Sequence, residues 1–444
     1  MRIKGAAPYV YIFLVLGLLC TRCQKDDNDI IQVDDIYLFQ GLIANGVDRN
    51  EDNSISTAEA EAITSLNLKY RKIRSAKGLE AFVNLKELWI EGNTLQTLDM
   101  SENLALEFLN CSYNNWLTSL DISNNTALAE LLCSGNSLGT LDVSACTQCR
   151  ILDCNGNELE FLDVSNNPAL EELHCSSNEI IALDLSKNPE LVYLSCGWQE
   201  LEELHIQANS KLVSLYCEIN QLTGLDISKN PALETLICSN NLLSALDISK
   251  NSKLKNLHCE GNQLTELDAT NNTELEYIDC GGNLLTNLDI SSCTVLYGLL
   301  CGGNQLSELD ISDNYELLWI FCSNNQLTEL DASRNPLLEQ LNCDNNQLTN
   351  LNVTNSYKLH VFECSYNQLT VLDLSTNSNL WGLLCGYNLF SRLDISNNIS
   401  LVHLSVEGMP GLEEVCVWTT PFQGHINVDS AGSPNVFFTT ECSN

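Results

Sequence analysis

A twelve-residue stretch, residues 48–59, carries oxygen-bearing side chains at regularly spaced positions. Positions 1, 3, 5, 9 and 12 are acidic, amide or hydroxyl residues, and position 7 would contribute its main-chain carbonyl. Calcium binds six to eight such oxygens in a flexible geometry. The spacing therefore predicts one calcium site, with ligands from Asp48, Asn50, Asp52, Ser54, Ser56 and Glu59.

This loop resembles an EF-hand. Ile55 fills the apolar eighth position, and the usual glycine at position 6 is replaced by Asn53, a residue that tolerates a left-handed turn. Short helices are predicted on either side, at 35–44 and 57–64. No partner loop accompanies it, so the resemblance implies weak binding, about 10⁻⁴ to 10⁻³ M. The alternative is a solvated acidic turn that binds no ion.

Fourteen cysteines recur at an almost fixed interval, with a first step of 22 residues and later steps of 21. A period in the range of about 20–29 residues, with leucines at fixed offsets, predicts a leucine-rich-repeat solenoid, in which each repeat buries its apolar face against its neighbours. This cysteine ladder comprises Cys111, Cys133, Cys154, Cys175, Cys196, Cys217, Cys238, Cys259, Cys280, Cys301, Cys322, Cys343, Cys364 and Cys385.

One repeat, residues 233–253, reads LETLICSNNLLSALDISKNSK. Leu236 and Cys238 are predicted to point inward from a short strand, and Ile237 outward. Asn241 is predicted to bond buried backbone groups of the turn, and Gln199 is the one departure from this asparagine column. The repeat resembles the bacterial nested 21-residue pattern L-x-x-L-x-C-x-x-N-x-L-x-x-L-D-I-S-x-N-x-x over residues 66–418. The resemblance implies an internalin-like solenoid with short parallel β-strands on a curved face and irregular turns.

The domain organisation follows from where this pattern begins and ends. A small helical, EF-hand-like segment is predicted at 35–64, the solenoid at 65–409, and a strand-rich C-terminal cap at 410–444. Caps are expected because an open solenoid end would expose its core.

The ladder cysteines are predicted to be free and buried, because in-register side chains point the same way and are poorly placed to bridge. Cys416 and Cys442 lie outside the ladder and form the candidate disulfide. The Cys146-x-x-Cys149 pair suggests a zinc or redox site, but these residues align with an asparagine and a leucine of other repeats.

No enzyme is predicted. His174 and His258 each precede a ladder cysteine, yet adjacent strand residues face opposite sides of a sheet. The other histidines show no metal-ligand spacing, and no nucleophile elbow or phosphate loop is present.

An aspartate recurs in the L-D-I-S position of thirteen repeats. Each carboxylate is predicted to bond nearby turn amides in solvent, although a row of them could bind divalent ions. The formal net charge of −37 excludes nucleic acid as a favoured partner and leaves cations, basic proteins and neutral glycans. It is also typical of a soluble extracellular surface.

The first residues resemble a bacterial lipoprotein leader: a basic start, an apolar run from Ala6 to Cys20, then a polar run after Cys23. The segment 1–22 is predicted to be a signal peptide and 23–34 a polar tether. Cys23 is the favoured acylation site and Cys20 the alternative. Both depart from the lipoprotein pattern, because Arg22 and Leu19 stand where a small residue is preferred. The Cys-x-Lys-Asp-Asp run resembles the surface-export signal of Bacteroidetes lipoproteins, which implies a lipid-anchored outer-membrane protein exposed at the cell surface.

Aromatic side chains at outward strand positions are the candidate binding residues, because tyrosine and tryptophan are enriched at binding hot spots. The alternative is that they simply favour strands. The leading hypothesis is protein recognition or adhesion on the concave face, and the second is glycan capture for a polysaccharide-using bacterium. The candidate residues are Tyr193, Trp198, Tyr216, Tyr277, Tyr297, Trp319, Phe321 and Trp381.

Overall fold

The computed structural model describes residues 30–420 and 426–442. The predicted signal peptide with Cys20, and the start of the predicted tether with Cys23, lie outside these ranges. The described chain is a solenoid of short parallel strands with very little helix, which confirms the predicted fold class.

The main sheet has 18 parallel strands whose spatial order follows the chain. Neighbours pair one repeat apart, so that Leu236 lies opposite Leu257. The middle residue of each strand points inward, and the outward side of these strands is called the main-sheet face. Its strands are Ser65–Asn67, Glu87–Trp89, Phe108–Asn110, Glu130–Leu132, Ile151–Asp153, Glu172–His174, Tyr193–Ser195, Ser214–Tyr216, Thr235–Ile237, Asn256–His258, Tyr277–Asp279, Gly298–Leu300, Trp319–Phe321, Gln340–Asn342, Val361–Glu363, Gly382–Leu384, His403–Ser405 and Asn427–Asp429.

Shorter parallel sheets form at the aspartate position of some of the repeats. They bury the leucine between two outward residues, as in the main sheet. Their strands are Thr97–Asp99 with Ser119–Asp121, Ala182–Asp184 with Glu203–His205, Glu329–Asp331 with Asn350–Asn352, and Arg392–Asp394 with Glu414–Cys416 and Phe437–Thr439.

The core is a continuous stack of leucine, isoleucine and cysteine side chains. All fourteen ladder cysteines are free and buried, as predicted. Burial raises the pKa of the Cys238 thiol to about 12, so the thiolate that would react is strongly disfavoured. Cys146 and Cys149 fill separate buried positions of the core. Since both pack as core residues, they do not show the exposed, thiolate-favouring surroundings of a redox pair.

Two columns of asparagine side chains join each repeat to the one before it. Asn241 donates from Nδ2 to the carbonyls of Cys238 (3.1 Å) and Cys217 (3.0 Å), and its Oδ1 accepts from the N–H of Leu222 (3.0 Å). This confirms the predicted role of that column. The second column was not predicted to bond: Asn251, for example, donates to two carbonyls of the preceding repeat.

The N-terminal segment differs from expectation in two places. The first helix, Ile36–Ala44, is capped by Asp35. The second spans only Thr57–Glu61, shorter than the predicted 57–64: its C-cap is Ala62, and the N–H of Ile63 bonds to the carbonyl of Ala60, only three residues back. Residues 30–34 of the predicted tether are packed against the domain, and Ile31 N–H donates to Ile55 O at 2.8 Å.

The C-terminal segment continues both the main sheet and a shorter sheet past residue 409. Strand Asn427–Asp429 extends the main sheet, and strand Phe437–Thr439 pairs with Glu414–Cys416. The cap is therefore built from further repeat-like turns. Cys416 and Cys442 are joined by a disulfide with 5.5 Å between their Cα atoms.

Candidate binding face on the main sheet

The aromatic row consists of Tyr277, Tyr297 and Trp319 at the centre of the main-sheet face. Tyr277 and Trp319 begin their strands, and Tyr297 lies immediately before the strand between them. Ring centroids are 6.2 Å apart for Tyr277 and Tyr297, and 5.7 Å for Tyr297 and Trp319. These spacings are those of contacting aromatic pairs, so three repeats share one ring surface.

Gly298 makes this row possible. It takes the strand position that Tyr277 and Trp319 hold in the neighbouring repeats. A Cβ built on Gly298 would lie 2.6 Å from Cδ2 of Tyr277, so that ring occupies the space of a side chain. The row continues to His258, whose ring stacks on Tyr277 at 4.8 Å.

The remaining strand aromatics form smaller groups on the same face. Tyr193 and Tyr216 contact each other, with centroids 5.2 Å apart. Phe321 ends the strand that Trp319 begins and is half-buried on the same side. Trp381 meets His403 edge to face at 4.5 Å and is 48% exposed.

Trp198 lies in a turn rather than on a strand. Its φ is +59°, and the equivalent turn residues Tyr366 and Tyr387 also have positive φ. Those two tyrosines stack at 4.2 Å along the same turn edge. The sequence analysis treated Trp198 as an outward strand residue like Tyr193 and Tyr216, but the structure places it in a turn, because the chain has a positive φ at the second residue after each ladder cysteine.

The sequence interpretation missed a polar cluster beside the aromatic row. His258, Glu260 and Asp279 each place one nitrogen or oxygen atom within 4.8 Å of the others. The signal was present, since Asp279 follows His258 by one 21-residue repeat and Glu260 follows it by two residues. His258 is half-buried on the face while Cys259 is buried, so the predicted separation of those two is confirmed.

The predicted calcium loop has its acidic side chains bonded within the loop. Asn53 adopts a left-handed φ of +60°, and its N–H donates to Asp48 Oδ2 at 2.9 Å. Glu59 forms a capping box with Ser56, and the pKa of Glu59 is lowered mainly by the N–H of Ser56. The loop carboxylates do not form a set of three within 4.8 Å, so an ion would require the loop to contract.

The aspartates of the L-D-I-S positions bond as predicted. Asp247 Oδ1, for example, accepts the N–H of Ser249 at 2.9 Å, and the bonds made with Ser249 hold the pKa of Asp247 below its usual range. Asp289, Asp310 and Asp331 line a groove of about 780 Å³ together with Arg334. The same bond to the residue two positions later is made by all thirteen.

No protein-family model matches the sequence, and no curated protein is significantly similar to it. The fold is similar to the functional domain of InlJ from Listeria monocytogenes, a structure described as including a cysteine ladder: the TM-score is 0.70 and the identity 30%, over 83% of this chain and 80% of that one. For YopM from Yersinia enterocolitica, the TM-score is 0.62 and the identity 24%, over 89% of this chain and 93% of that one. For the internalin InlF from Listeria monocytogenes, the TM-score is 0.55 and the identity 22%, over 78% of this chain and 94% of that one.

Proposed function

Because this chain belongs to the bacterial leucine-rich-repeat proteins, we propose that it is a non-enzymatic binding protein that recognises another protein through its main-sheet face. The observation that carries this proposal is the aromatic row. Rigid rings bury large areas on binding at little conformational cost, which is why tyrosine and tryptophan dominate interface hot spots. The net charge of −37 favours a partner surface that is neutral or basic.

The test is a binding screen against arrays of surface proteins and glycans, followed by variants of the row. Trp319→Ala should weaken binding of a protein hit by about 2 kcal/mol, or roughly 30-fold in Kd. Trp116→Ala is the matched control, because Trp116 is 68% exposed in a turn away from the strand positions. Equal effects of the two variants, or none from Trp319→Ala, would reject the main-sheet face as the binding surface.

Glycan capture is the second candidate. The observation that favours it is the same ring surface, with Glu260 and Asp279 close by as hydrogen-bond acceptors for sugar hydroxyls. A glycan should depend on two or three of the rings and vary little with salt, whereas an extended protein interface with this charge should weaken as salt rises.

The binding role is combined with a cell-surface location through a lipid anchor at Cys23. None of the helical segments in the described ranges has the length and apolarity that a bilayer span requires. The support for the anchor is the leader pattern of residues 1–22 followed by a polar run. Cys23→Ala should release the protein from the outer membrane, and retention in both Cys23→Ala and Cys20→Ala would exclude lipidation.

The loop at 48–59 is proposed to bind one calcium ion weakly. The oxygen spacing, the left-handed Asn53 and the capping box of Ser56 with Glu59 support this. The helix before the loop contacts the first strand of the main sheet through its C-cap residue Asn45, whose Nδ2 donates to Asn67 O at 2.9 Å. Calcium would therefore stabilise the end of the solenoid rather than take part in recognition.

A further inference from the structure

Three ligand-bearing side chains meet where two neighbouring repeats cross the main-sheet face. His258 and Asp279 end adjacent parallel strands and are paired in register. Glu260 lies two residues after His258 and faces the same side. In residues 30–420 and 426–442, no other set of three histidine, cysteine, aspartate or glutamate side chains brings its ligand atoms within 4.8 Å of one another.

The cluster contains a buried carboxylate oxygen that the described residues around it leave without a hydrogen-bond donor. Oε2 of Glu260 is buried and has no hydrogen-bond partner among the described residues. A buried carboxylate oxygen without a donor destabilises the fold unless a proton or a cation reaches it.

Glycine keeps the space beside the cluster open. Gly281 takes the place of Glu260 in the next repeat, and its N–H donates to Asp279 Oδ1 at 3.1 Å. A Cβ on Gly281 would lie 3.4 Å from that oxygen and 3.1 Å from Gly302 O. The tight contact would be with Gly302 O, and without a side chain at Gly281 this side of the Asp279 carboxylate stays uncovered.

From this geometry we propose that His258, Glu260 and Asp279 bind one divalent transition-metal ion of the Zn²⁺ type on the main-sheet face. One imidazole nitrogen and two carboxylate oxygens are a ligand set that suits Zn²⁺ and its first-row neighbours, whereas Ca²⁺ prefers oxygen alone. Ligands of a tetrahedral Zn²⁺ ion are roughly 3.4 Å apart, so small rotamer changes would close the set. The stacking of His258 on Tyr277 orients the imidazole.

Three protein ligands leave a coordination position open toward the main-sheet face. Water fills such a position in the free protein, and a histidine or carboxylate of a bound partner could replace it. The ion would also reduce the local negative charge next to the aromatic row. The metal site thus lies at the edge of the proposed binding surface, but it does not depend on that function.

The experiment is a calorimetric titration of the purified chain, without an affinity tag, with Zn²⁺ in the presence of excess Ca²⁺ to saturate the loop at 48–59. One Zn²⁺ per chain is expected. His258→Ala and Asp279→Asn should each weaken binding at least about 10-fold, the loss that even an outer-shell change produces. His174→Ala is the matched control, because His174 is paired with Asp153 in the same register but is followed two residues later by Ser176 instead of a carboxylate.

Co²⁺ provides an independent reading of the ligands by absorption spectroscopy. Nitrogen and oxygen ligation gives weak visible bands without a thiolate charge-transfer band, and Asp279→Asn should alter these bands while leaving the metal-free unfolding curve close to that of the wild type. A thiolate band, absence of stoichiometric Zn²⁺, or equal affinity in wild type, His258→Ala and Asp279→Asn would each overturn the proposal.

Discussion

Replacing Gln199 by asparagine should stabilise the protein, because Gln199 is the one departure from the first asparagine column. Its Nε2 donates to Cys196 O at 3.1 Å, while its Oε1 is buried without a hydrogen-bond partner in the described chain. The corresponding asparagines also reach a carbonyl and an N–H of the preceding repeat, here Cys175 O and Ile180 N–H. Gln199 is one methylene longer, and its side chain lies beside the Cys175 thiol instead.

The magnitude follows from counting what changes. Gln199→Asn restores two hydrogen bonds worth about 1 kcal/mol each. It removes one buried methylene worth about 0.8 kcal/mol. The net gain in unfolding free energy is therefore about 1 kcal/mol. Asn241→Gln is the reciprocal control and should cost a similar amount, because the longer amide side chain would lose the contacts that Asn241 makes to Cys217 O and Leu222 N–H.

The assay combines denaturant unfolding with amide hydrogen exchange. A change of about 1 kcal/mol at this size shifts the thermal midpoint only slightly, since unfolding entropy scales with chain length. Exchange at Ile180 N–H reads the restored bond directly and should slow by about fivefold. Unchanged exchange at Ile180 in Gln199→Asn, with Asn241→Gln clearly destabilised, would refute the claim that these bonds are equivalent along the array.

Three further outcomes are expected. Thiol labelling of the native protein at pH 8 should reach almost none of the seventeen free buried cysteines of the described chain, whereas denaturation without reductant should expose them. Cys238→Ser should lower the free energy of unfolding by about 1–3 kcal/mol, more than Cys238→Ala. Burial raises the pKa of Asp344 to about 6, so its ionisation destabilises the fold as the pH rises from about 4 to above 6. Asp344→Asn should therefore increase the free energy of unfolding by on the order of 1 kcal/mol at pH 7.5, after allowance for partial solvent screening, and by almost nothing near pH 4. Urea unfolding at both pH values measures this difference. Glu59→Gln should abolish the calcium-dependent thermal shift without unfolding the solenoid, and no such shift in the wild type would reject the calcium site.

The 21-residue period was sufficient to predict the inward Leu236 and Cys238, the bonded Asn241 and the free ladder cysteines, because each depends only on position within one repeat. Features that depend on what a neighbouring repeat carries were harder to foresee. Gly298 has no evident role alone, and its role appears only when the rings of Tyr277 and Trp319 are seen to cover it. His258 and Asp279 likewise gain meaning as a pair across strands. A repeat pattern orders residues along the chain, whereas the face is assembled across neighbouring repeats.

The asparagine columns also give the solenoid a direction. Each Asn side chain of the first column completes the hydrogen bonds of the repeat before it, so every repeat made during synthesis holds a buried N–H and carbonyl that await the next one. During synthesis, the most recently formed repeat therefore has fewer of its hydrogen bonds completed than the repeats before it. The disulfide between Cys416 and Cys442 adds a covalent bond between the last two turns that the structure describes, which also pair through their strands.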